Sequence, residues 1–428
     1  MDPVAPDPLA FIGTSDLAGL LRGKSIPWSE LERRMGRGVG IATSNLMLSP
    51  FGPILDTPFG TQGDVMLVPD PATRAAIPSP PTLDVDAPDI TLLLGDFLEL
   101  DGAPWECCPR YFLRRGLAAL HAEFGLTLLA TFEQEMTYTG VPERPGSPYT
   151  LEALRRQGPF GGLLLAAMRE TGIEPDSFLA EYGPRQYEVT AGPAPGVAAA
   201  DQAVITRELA RAIAARLGHR AILAPMLTPA GVGSGTHIHW SLRDQHGRPA
   251  TYDETGLHDL SDEAEHMVAG MLHHLPSIAA ITAPSAASYY RLRPNKWAPT
   301  AISLGVQDRG SALRICPVYA TAEEAIPAQF NIEFRVADAA ASPYLALGAL
   351  VWSGLDGLRR RRRLADHHRT PLPASLDAAL DNFEQSVTVA EWFGPLFREV
   401  YLRYKRAELK TLAGLDEQTI CNRYAAIY

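Results

Sequence analysis

Residues 126–138 read LTLLATFEQEMTY, and this stretch decides the fold class. Its β-branched and apolar content, following Gly125, is that of a strand. Side chains two apart on a strand share a face. Glu133 and Glu135 therefore point one way, and Phe132, Gln134 and Met136 the other. A strand with charge on one side and apolar bulk on the other is a sheet with a buried back and a polar front. Three more segments have this texture. YGPRQYEVTAG (182–192) carries Glu188, and Glu181 lies across its Gly-Pro turn. GVGSGTHIHWSL (231–242) sets His237 and His239 on one face after a glycine turn. FNIEFRVADAA (330–340) does the same with Glu333 and Arg335.

Between these strands lie helical patterns. PRYFLRRGLAALHAEFG (109–125) has apolar residues at helical spacing and stops at Gly125. Residues 150–180 read as helical. DQAVITRELARAIAARLG (201–218), a stretch near 261–275, SPYLALGALVWSGLDGLRRRRR (342–363) and the chain from Glu391 onward read as further helices. The first hundred residues are different: short β-rich runs, GVGIATSNLMLS (38–49), GDVMLVPD (63–70) and ITLLLGDFLEL (90–100), separated by Gly and Pro. The class is α+β, with a boundary expected near residue 106: one domain over 1–106 and a larger one over 107–428.

Composition narrows the functions. The chain has 428 residues, 46% hydrophobic and 20% charged, with a net charge of −11. That charge argues against a general nucleic-acid surface, which needs clustered Lys and Arg. The one basic run, Arg359–Arg363, reads as a solvated helix face. No stretch reaches the roughly 18 apolar residues of a membrane span. The acidic, proline-rich start lacks the features of a signal peptide, and the four cysteines have no metal-ligand spacing. A reduced, cytoplasmic protein is expected.

Singly, each charged pair has a structural explanation: a solvent face, a surface histidine pair, an ion pair. Jointly, five carboxylates and two histidines sit on β segments beside apolar runs. Burying that much like charge is prohibitive unless cations neutralise it, and oxygen-rich sets suit Mg²⁺ or Mn²⁺. A basic group, Arg291, Arg309 and Arg314, comes from SYYRLRPNKWAP (288–299) and DRGSALRICP (308–317). Metals that clamp phosphates and arginines that neutralise developing charge are what phosphoryl transfer from ATP requires. No Walker-type loop is present.

In this order the motifs resemble the glutamine synthetase superfamily, and within it the γ-glutamyl–amine ligases. The resemblance runs from GDVMLVPDPATR (63–74) through TFEQEM (131–136), EYGPRQYEV (181–189), GSGTHIHWSL (233–242) and the two arginine segments to NIEFRVADAAASPYLALG (331–348). It implies a small N-terminal β-grasp domain and a catalytic domain with a curved antiparallel sheet flanked by helices. It implies two divalent metals, one on Glu135, Glu181 and Glu188, the other on Glu133, His237 and Glu333. His239 and Arg314 would contact ATP phosphates, and Arg291 and Gly233 the amino-acid substrate. Arg309 and Arg335 would stabilise phosphoryl transfer and the γ-acyl centre. The implied reaction makes a γ-glutamyl phosphate, which an amine then attacks. A homo-oligomer, a dodecamer of two hexameric rings, is implied as well.

Several positions depart from ammonia-using members. Trp297 stands where they carry a glutamate that deprotonates ammonium. Trp has no basic group, so a larger amine held by apolar or cation–π contact is expected. Val232 replaces a substrate-contacting asparagine, Asn331 a phosphate-contacting arginine, and Asp308 an asparagine. The Asp-Gly-Ser-Ser loop is missing, with SNLMLSPFGPILDTPFG (44–60) in its place. Three other readings stay open: ammonia-dependent glutamine synthesis, a non-catalytic homologue, and a phosphotransferase releasing a stable phosphorylated product.

Overall fold

The computed structural model describes residues 7–79, 88–143, 148–364 and 370–428. The first sheet comprises β1 (Leu9–Ser15), β2 (Leu21–Pro27), β3 (Val39–Ala42), β4 (Asp64–Pro69), β5 (Ala75–Ile77) and β6 (Ile90–Leu98). β1 and β6 run parallel at its centre, and β2 folds back on β1. The order is β2-β1-β6-β4-β3, with β5 also on β6. The short helix α1 (Leu31–Met35) buries Leu31 against Ala10 and Leu93 on this sheet. The run at 38–49 is a strand only to Ala42. Thr43–Met47 forms a 3₁₀ turn that buries Leu46 and Met47.

Helix α2 (Pro109–Phe124) begins with proline, whose missing N–H is harmless in a first turn, and ends at Gly125 in the left-handed region. Strand β7 (Thr127–Tyr138) follows. Next come α3 (Leu151–Arg156), α4 (Phe160–Glu170), β8 (Pro175–Ala180), β9 (Gln186–Ala191) and the two-residue β10 (Ala194–Pro195). The expected all-helical span 150–180 thus ends in a strand. Pro175 opens it, and β8 pairs antiparallel with β9 as a hairpin. After α5 (Val197–Arg216) come β11 (Ala221–Ile222), β12 (Ile238–Arg243), α6 (Asp262–Thr282), α7 (Ser288–Arg291) and β13 (Ala301–Ile302). Then follow β14 (Leu304–Val306), β15 (Leu313–Ile315), α8 (Ile326–Gln329), β16 (Ile332–Phe334) and α9 (Pro343–Arg360). A last short strand, β17 (Thr370–Pro371), pairs with β13, and four helices, α10 to α13, cover 376–425.

The second sheet has nine strands in the order β14-β15-β16-β12-β7-β9-β8, with β10 and β11 also on β7. Its pairs are antiparallel except β14 with β15. β7 is its central strand, and its alternation is as expected: Leu128, Ala130, Phe132, Gln134 and Met136 are buried behind. Gln134 is no exception to an apolar back, because its Oε1 accepts from Arg207 Nε of α5 at 3.0 Å.

The two sheets are joined by more than apolar contact. Arg110 of α2 is buried and donates to Asp70 and Asp96 of the first sheet region (2.8 and 3.0 Å). It also donates to Asp201 of α5 (2.8 Å). The basic run is structural. Arg359 pairs with Glu123, Arg360 and Arg362 with Asp356, and Arg363 with Asp262 and Glu265. All four cysteines are free and buried. Among the described residues no helix is long and apolar enough to cross a membrane.

Candidate active site

Register builds the site. On β7 and β9, Glu135 lies opposite Glu188. The Glu133 N–H donates to the His237 carbonyl at 3.0 Å, just before β12 pairs with β7. On β12 and β16, His239 lies opposite Glu333, and on β15 and β16, Arg314 lies opposite the same Glu333. Five strands thus present their charged residues on one face. That face lines a cavity of about 1030 Å³.

Glu133 is held by both histidines: its carboxylate lies 2.6 Å from His237 Nδ1 and 3.0 Å from His239 Nε2. Glu333 accepts from Arg314 Nη1 at 2.7 Å and from Arg335, and lies 3.5 Å from His237 Nδ1. Glu135 accepts from the Gly235 N–H at 2.9 Å and from Gln186 Nε2 at 3.0 Å. Ligand atoms of Glu133, His237 and Glu333 lie within 4.8 Å of one another, as do those of Glu135, Glu188 and His237. His237 sits between the two sets. Glu181 lines the same cavity at the tip of the β8–β9 hairpin, where its carboxylate accepts from Tyr149 Oη at 2.8 Å.

The remaining expected residues lie on the same cavity. Arg291 is buried and donates to the carbonyls of Val336 and Ala337, the latter at 2.9 Å. The glycine turn makes room for it. A Cβ on Gly233 would fall 2.5 Å from Arg291 Cγ, and one on Gly235 2.9 Å from His237 Nε2. Arg309 lines the cavity from an exposed position, and its carbonyl accepts from Arg335 Nε at 3.0 Å. Asn331 places Oδ1 2.9 Å from His239 Nδ1. Trp297 and Val232 line the rim, and both are exposed.

The electrostatics show what the set lacks. Burial alone would raise Glu133, but bonds to His237 and His239 outweigh it and hold the carboxyl well below the usual range. Glu333 is lowered too, because His237, Arg335 and His239 outweigh its burial. Glu188 has no such partner. Burial and the charges of Glu133, Glu135 and Glu181 push it up to about 10. Burial also raises Glu135. Facing carboxylates that cannot both ionise are relieved by a divalent cation. Oxygen-rich sets sharing one imidazole have the donor chemistry for Mg²⁺ or Mn²⁺. The residues present therefore fit divalent metal.

Sequence reasoning missed four contributors. Gln186 shares its strand face with Glu188 and donates to Glu135, to the Gly233 carbonyl (2.9 Å) and to Ser234 Oγ (3.0 Å). The i,i+2 spacing to Glu188 was a usable signal. Lys296 ties the segment carrying Trp297 to the glycine loop by donating to the Pro229 and Gly231 carbonyls (2.8 and 2.7 Å). Tyr182 stacks on Trp297 with ring centroids 5.5 Å apart, and Tyr149 meets Tyr182 edge-on at 5.3 Å. No spacing rule connects residue 149 with 297.

Known proteins share this fold and sequence. The family described as glutamine synthetase, catalytic domain, matches residues 106–424, and the glutamine synthetase N-terminal domain matches 6–105. Gamma-glutamylpolyamine synthetase GlnA3 of Streptomyces coelicolor is 31% identical, over 97% of this chain and 92% of its own length. A glutamine synthetase of Methanococcus maripaludis is 28% identical, over 81% of this chain and 80% of its own. A solved structure described as a novel glutamine synthase homolog has a TM-score of 0.94 and 41% identity, covering all of both chains. The small N-terminal β domain and the larger domain with a curved sheet are that architecture. Members of this family are ligases that use ATP, divalent metal and small-molecule substrates. The two family models together span nearly the whole chain, so the chain belongs to the glutamine synthetase family and is an ATP-dependent carbon–nitrogen ligase.

Proposed function

We propose that this enzyme activates the γ-carboxylate of glutamate as an acyl phosphate and joins it to an amine larger than ammonia. The observation that carries the reading is the aromatic run Tyr149–Tyr182–Trp297 at the cavity mouth, beside the Glu181 carboxylate. Aromatic faces next to a carboxylate attract an alkylammonium by cation–π contact, and the segment carrying Trp297 offers no base for ammonium. The similarity to a γ-glutamylpolyamine synthetase supports the same choice.

A carboxylate is a poor acyl donor because its oxygen leaves badly. Transfer of the ATP γ-phosphoryl to it supplies a good leaving group. Divalent metal, when bound by Glu135, Glu181 and Glu188 and by Glu133, His237 and Glu333, polarises phosphate oxygens and offsets their charge. His239 and Arg314 reach the phosphate side of the cavity. Arg309 and Arg335 lie where charge develops at the acyl centre. Arg291, against Gly233, holds the α-carboxylate as a buried guanidinium. Gln186 fixes the Glu135 rotamer and the glycine loop together, so metal and substrate positions stay in register. The reading also places the division between the N-terminal and catalytic domains near residue 106, and a cytoplasmic homo-oligomer of two hexameric rings, both on family likeness.

The test is incubation with ATP, Mg²⁺, glutamate and an amine panel that includes ammonia, read by product mass and ADP release. A γ-glutamyl amide formed in preference to glutamine is the expected outcome. Preference for ammonia overturns the choice of amine. A stable phosphorylated product without amide overturns the ligase chemistry.

A further inference from the structure

Cys316 directly follows β15 and lines the cavity from the side of His239 and Arg314. Its thiol is free and only 8% exposed. Sγ lies 3.6 Å from His239 Nδ1 and 3.9 Å from Glu333 Oε2. Sulfur, imidazole nitrogen and carboxylate oxygen all fall within 4.8 Å of one another. A tetrahedral zinc, with Zn–S about 2.3 Å and Zn–N about 2.05 Å, places such ligand atoms roughly 3.5 Å apart. The sulfur–nitrogen and sulfur–oxygen separations are within a few tenths of an ångström of that spacing, and the nitrogen–oxygen separation closes from within 4.8 Å.

Its donor set differs in kind from the sets beside it. Glu135, Glu188 and His237 offer mainly oxygen, which suits Mg²⁺. A sulfur with an imidazole selects the zinc class instead, even when Mg²⁺ is abundant. No other cysteine belongs to such a group among the described residues. Cys107, Cys108 and Cys421 are fully buried. Burial, first among the causes, pushes the Cys107 thiol far up, Cys108 up to about 12 and Cys421 up to about 11. Filling the trio has a consequence for the rest of the site. It takes Glu333 from Arg314, which donates to it at 2.7 Å, and from the set it forms with Glu133 and His237, and it takes His239 Nδ1 from Asn331 Oδ1.

We propose that Cys316, His239 and Glu333 form an inhibitory site for a thiophilic divalent cation of the zinc and cadmium class, which excludes ATP phosphate from His239 and Arg314. The thiol proton and the proton that His239 Nδ1 shares with Asn331 Oδ1 (2.9 Å) pass to solvent as the metal–sulfur and metal–nitrogen bonds form, and no group is oxidised or reduced. The inhibitory half rests on the ligase reading, because it needs nucleotide phosphate at His239. The metal-binding half does not.

The experiment has two readouts on the purified protein, the first without added Mg²⁺ and the second with it. In the first, Cd²⁺ is titrated and the thiolate-to-cadmium charge-transfer absorption is followed. Wild type gives one equivalent of signal. Cys316→Ser and Cys316→Ala lose it while keeping the wild-type circular dichroism and melting profile. Outer-shell changes at metal sites already cost about 10–100-fold in affinity, so loss of a direct ligand weakens binding by roughly tenfold or more. No signal from wild type, or equal signal from the variants, overturns the site. In the second, ligase turnover is measured with added Zn²⁺, each protein normalised to its own zinc-free rate. Inhibition of wild type competitive with ATP, and relieved in Cys316→Ser, is expected. Equal inhibition of both overturns the inhibitory role. The cadmium signal stands or falls whatever the amine panel returns.

Discussion

Trp297 holds its indole at the cavity rim from a left-handed backbone, φ +55°, and Tyr149 does the same at φ +56°. Each such residue costs roughly 1–2 kcal/mol, so both conformations are sustained by their surroundings. Lys296 supplies part of that support by anchoring the segment to the Pro229 and Gly231 carbonyls. A cation–π contact is worth about 0.5–2 kcal/mol. Trp297→Ala is therefore expected to raise KM for the preferred amine by about tenfold, with kcat little changed. Trp297→Phe, which keeps an aromatic face, is expected to retain most of the affinity. Steady-state kinetics on both variants decide it, and an unchanged KM in the alanine variant removes Trp297 from amine recognition. Trp297 itself stood out in the sequence because it occupies a motif position. Its partners did not, because a contact between Tyr149, Tyr182 and Trp297 is set by hairpin and loop placement rather than by any local period.

At the scale of elements, period two was the reliable signal. Glu133, Glu135 and Gln134 fall on the faces of β7 that alternation assigned, and cross-strand register then brings Glu188, His239, Glu333 and Arg314 to the front. Registers themselves could not be read from one strand at a time. Helical period was less secure where a helix was followed by a short strand. Pro175–Ala180 is apolar enough to pass for the end of α4, and only its pairing with β9 distinguishes it. The run Arg359–Arg363 was legible as structural but not its partners. Asp356, four residues before Arg360, accepts from His274, Arg360 and Arg362. Burial alone would raise its pKa, but these bonds win and hold it near 2. With an unfolded value of 3.8, the shift is worth about 2 kcal/mol at neutral pH. A depressed carboxylate contributes above its unfolded pKa and loses that contribution as pH falls through the folded one. Asp356→Asn should melt several degrees below wild type at pH 7, and the gap should narrow as pH falls from about 4 toward 2. A gap independent of pH would remove the ionised Asp356 as its source.

The whole molecule converges on one unsatisfied feature. Arg110 locks the two sheets together, and the core is continuous across them. Yet at the front of the larger sheet, strands far apart in sequence carry carboxylates that repel one another. Without a cation Glu188 keeps its proton, its pKa raised to about 10 by burial and by Glu133, Glu135 and Glu181. The native state then binds more protons than the unfolded chain between the unfolded value of 4.5 and about 10. That contribution to stability is full below 4.5 and is lost as pH rises through the folded pKa. A divalent cation reverses the sign. It must expel the proton to bind, so its affinity and its stabilising effect grow with pH. Calorimetric titration of metal-free protein with Mg²⁺ or Mn²⁺ in two buffers of different ionisation enthalpy measures the protons released. Near pH 7.5 about one should leave per protein, and added metal should raise Tm more at pH 8 than at pH 5. If the heats are independent of buffer and the Tm shift is flat with pH, Glu188 is already ionised in the metal-free enzyme, and the charge on this face is balanced by something other than a bound cation.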